Sequence, residues 1–430
     1  MTSTTSAMAL PLDHMARWGG VSKRVLQAFN GHSNLPVHEL AKAKVEKPHG
    51  RTRPLPKASG TVNFSAWRLA HAVKKADCLR WPSAPIRWVG ATGFLLENGH
   101  LFDWDASEWC LNEGMSNFYA DFAGTGLAGR IAQGMALLFL EDTGYAYVGR
   151  FETEWRKRAT TQNRQWPADK TKAPDFIAEN ARQEWVLAEC KGGFSTPGRK
   201  PPIKGALREG LTQLDGWDKY ITPQPIKSFA IGTFLRETGD TSGETSLIAF
   251  VDPEPEISEN PVEFPRDAVR RANYSSWLSL MGLDDAATRL REDEEEPRRY
   301  EFPLLSVGGR QYAVSIASVA PRYPDLSSRK FWREFRDWPF WPFPWFRDGI
   351  DIELVGLDLK VLRALSSAVQ PAGASELMAL EPSERRDTPA DLDGGTFYGS
   401  VFSDGSLMGE LRLRHPGEPF PDFDWIEVEL

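Results

Sequence analysis

The chain has 430 residues, beyond the ~100–200 typical of one domain, so two or three structural units are expected. Its apolar share of 41% beside a charged share of 26% is a globular balance that excludes a wholly disordered or collagen-like chain. No stretch approaches ~18 consecutive apolar residues, and the first residues lack the basic and apolar regions of a secretory leader. Three cysteines (Cys78, Cys110, Cys190) provide neither a disulfide framework nor a CxxC zinc pair, so a cytoplasmic protein making no membrane contact is expected.

The net charge of −8 conceals a strong polarity. Residues 1–76 carry +9, 77–155 carry −7, 156–208 carry +7 and 209–430 carry −17. A basic block can neutralise phosphates and release their counterions, which points to a nucleic-acid partner. The acidic carboxy-terminal half repels nucleic acid and is expected to engage a protein partner or a second copy of the chain, or simply to keep the chain soluble; charge alone leaves these options open.

In chain order, residues 1–60 read as a basic, extended arm, with Pro36, Pro48, Pro54 and Pro56 and little periodicity. Residues 61–114 are rich in tryptophan (Trp67, Trp81, Trp88, Trp104, Trp109) and suggest a small packed subdomain. The orderly segment is 115–255. Apolar residues at Ile131, Met135, Leu138 and Phe139 have helical spacing, and Gly144 closes that helix. YAYVGRFETEW then reads as a strand, and APDFIAE and EWVLAECK as two more joined by the polar turn Asn180–Gln183. A helix over 204–221 and buried strands at SFAIGTFL and SLIAFVD follow, giving an α/β layer around one sheet. Residues 256–299 read as an acidic helical connector ending in the run Glu292–Glu296, and 300–430 as a β-rich acidic domain whose SDGS supplies hairpin chemistry.

The chemistry-bearing stretch is Pro174-Asp175, then Glu189-Cys190-Lys191. Strand residues two apart share a face, so Glu189 and Lys191 project together while Val186, Ala188 and Cys190 face a core. A hairpin partner brings Asp175 beside Glu189. Two adjacent carboxylates make a hard oxygen site for Mg²⁺, with the Cys190 backbone carbonyl as a further ligand and Lys191 placed to orient or activate water. The triplet alone is uninformative, since composition predicts roughly two (D/E)xK matches by chance, and the second is Asp358-Leu359-Lys360. The preceding Pro-Asp at hairpin distance distinguishes the first.

Asp175…Glu189-Cys190-Lys191 resembles the PD-(D/E)xK motif of the restriction-endonuclease-like nuclease superfamily, over about residues 125–252. The stretch from Gln133 to Tyr145 is similar to that superfamily's first-helix pattern, with Gln133 where glutamate is usual. Gln213-Leu214-Asp215-Gly216-Trp217 resembles the QxxxY signature of RecB-type members, with tryptophan for tyrosine. The resemblance implies a mixed central sheet flanked by helices and a Mg²⁺-dependent nuclease, with Mn²⁺ able to substitute, acting on DNA rather than RNA, in restriction or defence against phage. It implies Asp175 and Glu189 as metal ligands and Lys191 as the water-handling group, with Gln133 and Gln213 contributing. The missing upstream acid is expected from Glu152, ahead of Glu141 and Glu154. Trp217 is expected in the core. Arg156, Lys157, Arg158, Arg164, Lys170, Lys172, Arg199, Lys200, Lys204 and Arg208 bracket the motif with positive charge. The alternative is an adaptor subunit keeping this fold with an impaired site. A weaker third reading takes Gly124–Gly129, a literal GxGxxG, as a dinucleotide loop.

Overall fold

Period-two burial of Ser33, Leu35 and Val37 makes His32–Glu39 (β1) a strand, and Val62 and Phe64 do the same for Gly60–Ser65 (β2). In this computed structural model, residues 29, 31–49, 51–80, 90–119, 121–168, 170, 172–254, 261–292, 297–316, 350–369, 374–387, 390–392, 395–413 and 423–430 are described. They form a mixed α/β protein with a β-rich carboxy-terminal region. The extended arm expected over residues 1–60 is, over 32–39, an integral strand of the main sheet, because Leu35 and Val37 bury their side chains.

The main sheet adds β3 (Tyr147–Arg150), β4 (Phe176–Glu179), β5 (Trp185–Ser195), β6 (Lys227–Arg236) and β7 (Leu247–Val251). Its order is β2-β1-β7-β6-β5-β4-β3. The β5–β6 and β1–β7 pairs are parallel and the others antiparallel. The expected β4–β5 hairpin is present, with Phe176 opposite Ala188. β1 covers the edge that β7 would otherwise expose.

Helices cover both faces. Helix α1 (Ala66–Arg80) follows β2, and α2 (Asp121–Asp142) lies against β5. Ile131, Met135, Leu138 and Phe139 are buried as their spacing requires. Gly144, at φ +94°, ends α2 while the Tyr145 amide reaches back to the Leu140 carbonyl, a glycine C-cap. A Cβ on Gly192 would collide with the Ala128 carbonyl and stand 2.7 Å from Ala132 Cβ, so glycine at 192 is what lets α2 rest on the sheet. Gly124–Gly129 falls inside α2 rather than between a strand and a helix, which removes the dinucleotide-loop reading.

The strand expected over YAYVGRFETEW stops at Arg150, where α3 (Phe151–Thr161) begins. Phe151, Trp155 and Ala159 recur every four residues and are buried, and that helical face decided the outcome. The helix expected over 204–221 is α4 (Ile203–Leu214), the crossover between parallel β5 and β6; Gly216 at φ +65° turns the chain away.

The expected connector contains α5 (Ala268–Leu280), in which every residue except Arg271 is buried. Arg270 pairs with Glu179 at 2.6 Å, both fully buried, Asn273 accepts the Val148 amide, and the Trp277 indole donates to the Gly356 carbonyl. These groups wedge α5 between the two sheets. Residues 293–296 of the acidic run, Trp81 and Trp88, and the aromatic run 331–346 lie outside the described residues.

The carboxy-terminal sheet uses β8 (Arg299–Val307), β9 (Arg310–Ile316), β10 (Ile350–Asp358), β11 (Gly395–Val401), β12 (Ser406–Leu413) and β13 (Trp425–Glu429). Along the order β11-β12-β10-β9-β8-β13 every pairing is antiparallel. Asp358 caps the helix Leu359–Ala368 by accepting the Lys360 amide, which accounts for the second chance triplet. The turn between β11 and β12, the predicted SDGS hairpin, plugs into the main body. Asp404 pairs with buried Lys75 of α1 at 2.6 Å and accepts from Asn273 Nδ2 of α5 at 2.9 Å. His71 of α1 contacts the Ser400 and Ser406 hydroxyls and stacks on Phe402, and burial lowers its imidazole to about 3. Among the described residues no helix is long and apolar enough to cross a membrane.

Candidate active site

Asp175 lies one residue before β4, and the register carries it opposite Glu189 of β5. The two are tied reciprocally through the backbone. The Asp175 amide donates to Glu189 Oε2 at 3.1 Å, and the Cys190 amide donates to Asp175 Oδ2 at 3.1 Å. Both carboxylates are largely buried, Asp175 at 9% and Glu189 at 3% exposure. Lys191, on the same strand face as Glu189, holds its ammonium 3.0 Å from Glu189 Oε1 and 3.0 Å from Glu209 Oε1 of α4. Gly210, next to Glu209, keeps α4 close to the sheet: a Cβ there would stand 3.2 Å from Ala230 Cβ.

Gln133, projecting from α2, donates through Nε2 to Asp175 Oδ1 at 3.2 Å. The same oxygen receives the Arg150 guanidinium from the end of β3 at 2.6 Å. Gln213 reaches Glu209 at 3.2 Å, one α4 turn away, and so touches Lys191 only through that carboxylate. The structure therefore gathers Asp175, Glu189, Lys191 and Gln133, with Gln213 at one remove.

Glu152 stands apart. It is on α3 rather than a strand end, about two-fifths exposed, and paired with Arg156 at 2.9 Å. Glu141 binds Arg68 and the Ser403 amide, and Glu154 lies near Arg291. Among these three glutamates none approaches Asp175. Trp217 is fully buried, and its indole donates to the Lys172 carbonyl at 2.9 Å, steadying the segment that enters Asp175. The Cys190 thiol points into the core, where burial raises it well above its ordinary range. Of the bracketing basic residues, Arg156 lies over the Trp166 ring and Lys172 is exposed beside Glu209.

Two residues at the site escaped the sequence reading. Arg150 could be found only once β3 was known to run beside β4, with Arg150 opposite Phe176. Glu209 carried a faint signal, lying four residues before Gln213 on a helix.

The charges are unequal in their tolerance of burial. Burial, reinforced by the adjacent Asp175 carboxylate, pushes the Glu189 carboxyl up to about 8 against the pull of Lys191. Burial pulls the Lys191 ammonium down, but Glu189 and Glu209 together hold it above its ordinary value. The hydrogen bond from Lys191 keeps Glu209 below the usual carboxylate range. An acid raised in the folded state binds its proton more tightly than the unfolded chain does. Its stabilising contribution is thus complete at acid pH and is lost as pH rises through about 8. Glu189→Gln should match the wild type near pH 4, below the unfolded carboxyl's 4.5, and exceed it at pH 9 by roughly 2–4 kcal/mol in chelator. Denaturant melts at both pH values check this; a difference independent of pH would refute it.

Among the described residues no group of three or more His, Cys, Asp or Glu side chains is placed to hold a metal ion. The donor set at this site is two carboxylates. The Cys190 carbonyl is a further candidate, because the amide of the same strand residue faces Asp175. Mg²⁺ typically takes one or two carboxylates and completes its shell with water and substrate phosphates, so the residues present fit such an ion, with Arg150 as its rival for Asp175 Oδ1. No family model matches the chain, and no curated protein or solved structure matches it either.

Proposed function

We propose that this protein is a Mg²⁺-dependent nuclease of the PD-(D/E)xK type that hydrolyses phosphodiester bonds, preferentially in DNA, in a cytoplasmic restriction or anti-phage role. The observation that carries this reading is the meeting of Asp175, Glu189 and Lys191 at one point of a helix-flanked sheet. The strand and helix order from α2 to β7 supports the same reading.

Asp175 and Glu189 would hold the ion, with Mn²⁺ as substitute and the Cys190 carbonyl completing the protein's share. When bound, the ion supplies Lewis-acid polarisation of the phosphate and a more acidic water. The chain's own groups do the rest. Lys191, kept cationic by Glu189 and Glu209, orients the attacking water and faces the charge that develops on the phosphate; an ammonium so held acts by charge rather than as a base. Gln133 fixes the Asp175 carboxylate through Oδ1 while the Cys190 amide fixes Oδ2. The acidic carboxy-terminal sheet, docked through Asp404, would engage a protein partner or a second copy of the chain.

The second reading, a nuclease-fold adaptor with an impaired site, is favoured by one observation: a neutral Gln133 and a cationic Arg150 both already occupy Asp175 Oδ1. The deciding experiment incubates purified protein with circular and linear DNA and RNA in Mg²⁺, Mn²⁺ or chelator, beside Asp175→Ala. Metal-dependent cutting lost in the variant supports the nuclease; intact substrates in all conditions support the adaptor.

A further inference from the structure

Each of the two carboxylates has a cation of the chain beside it, Lys191 at Glu189 and Arg150 at Asp175. The guanidinium of Arg150 meets Asp175 Oδ1 at 2.6 Å, with side-chain exposures of 16% and 12%, so this is a partly desolvated, charge-assisted contact. The other oxygen is engaged by the Cys190 amide. The Arg150 guanidinium also lies 5.9 Å from the centre of the Phe176 ring. A cation entering between Asp175 and Glu189 must therefore compete with a cation belonging to the chain. Resting on the nuclease reading above, we propose that Arg150 is an exchangeable counter-ion: it neutralises Asp175 in the resting site, yields that oxygen to a divalent ion, and then pairs with a phosphate of the substrate.

Two consequences follow from charge balance. Metal binding on its own is weakened, because it must break the Arg150–Asp175 pair. Metal and phosphate binding reinforce each other, because a substrate phosphate gives the displaced guanidinium a new partner, and this coupling is reciprocal. The site would then load its metal more readily when a polyanion is present, which restrains idle hydrolysis.

The test is Mn²⁺ affinity, by calorimetry or the spin-resonance signal of free Mn²⁺, with and without a phosphorothioate DNA duplex that resists hydrolysis. Arg150→Met should bind Mn²⁺ alone roughly tenfold more tightly than wild type, and the duplex should tighten it less than it does in wild type. In wild type the duplex should tighten Mn²⁺ several-fold, and Arg150→Lys, which keeps the charge, should stay close to wild type. Should Arg150→Met fail to fold, Arg150→Gln, which keeps a hydrogen-bond donor without the charge, carries the same comparison. Mn²⁺ affinity equal in wild type and Arg150→Met, or wild-type affinity indifferent to the duplex, overturns the counter-ion exchange alone. Absence of Mn²⁺ binding in every variant overturns both the exchange and the metal-site reading.

Discussion

Lys191→Ala is expected to lower metal-dependent cleavage by about 10²–10³-fold, the scale seen when one preorganised electrostatic contact to a transition state is removed. The ammonium is held from two sides, by Glu189 and Glu209 at 3.0 Å each, and is only 17% exposed, so water cannot take its place without reorganising the site. Most of the loss should fall on kcat, because the charge that Lys191 faces develops during reaction. Lys191→Arg should recover part of the rate, since a cation is restored at a different reach. Mn²⁺ titration is the control: Lys191→Ala should still bind the ion, because Asp175 and Glu189 remain. Cleavage by Lys191→Ala at the wild-type rate would remove Lys191 from the mechanism.

The largest stability effect is expected away from the site, where the carboxy-terminal sheet is pinned to the main body. Asp404→Ala should destabilise the protein by about 3–5 kcal/mol, because it strands the Lys75 ammonium in a buried position. Lys75 is 4% exposed and Asp404 fully buried along their side chains, and Asn273 and Ser406 also donate to Asp404. Burial acts to raise the Asp404 carboxyl, yet Lys75 and the hydroxyl and amide donors outweigh it and hold it below its ordinary value. A depressed carboxyl stabilises the fold at neutral pH and loses that contribution as pH falls through its folded value, so the Asp404→Ala deficit should narrow in strong acid. Urea melts of wild type, Asp404→Ala and Asp404→Ala with Lys75→Met check this. The double variant should regain much of the loss, since no unpaired charge stays buried. If Asp404→Ala melts as wild type does, the docking is carried by apolar contacts instead.

The turn that carries Asp404 was legible as hairpin chemistry, while its partner was not. Lys75 is 329 residues away in sequence, and nothing in the α1 sequence distinguishes it from a solvent-facing lysine. The same holds for α5, whose Ser275, Ser276 and Ser279 suggest an exposed connector until both sheets are seen to cover it. Polar residues with long-range partners look like surface residues when read in one dimension.

The local sequence determined the β4–β5 hairpin, the shared face of Glu189 and Lys191, the apolar stripe and glycine cap of α2, and the β11–β12 turn, because periodicity and turn chemistry act over a few residues. Tertiary structure alone decided that Arg150 and Gln133 meet on one oxygen of Asp175, that Glu209 closes around Lys191, that Glu152 turns outward on α3, and that residues 32–39 complete the sheet. Those outcomes depend on strand register, on helix crossings permitted by Gly192 and Gly210, and on desolvation, which are properties of packed elements rather than of neighbouring residues.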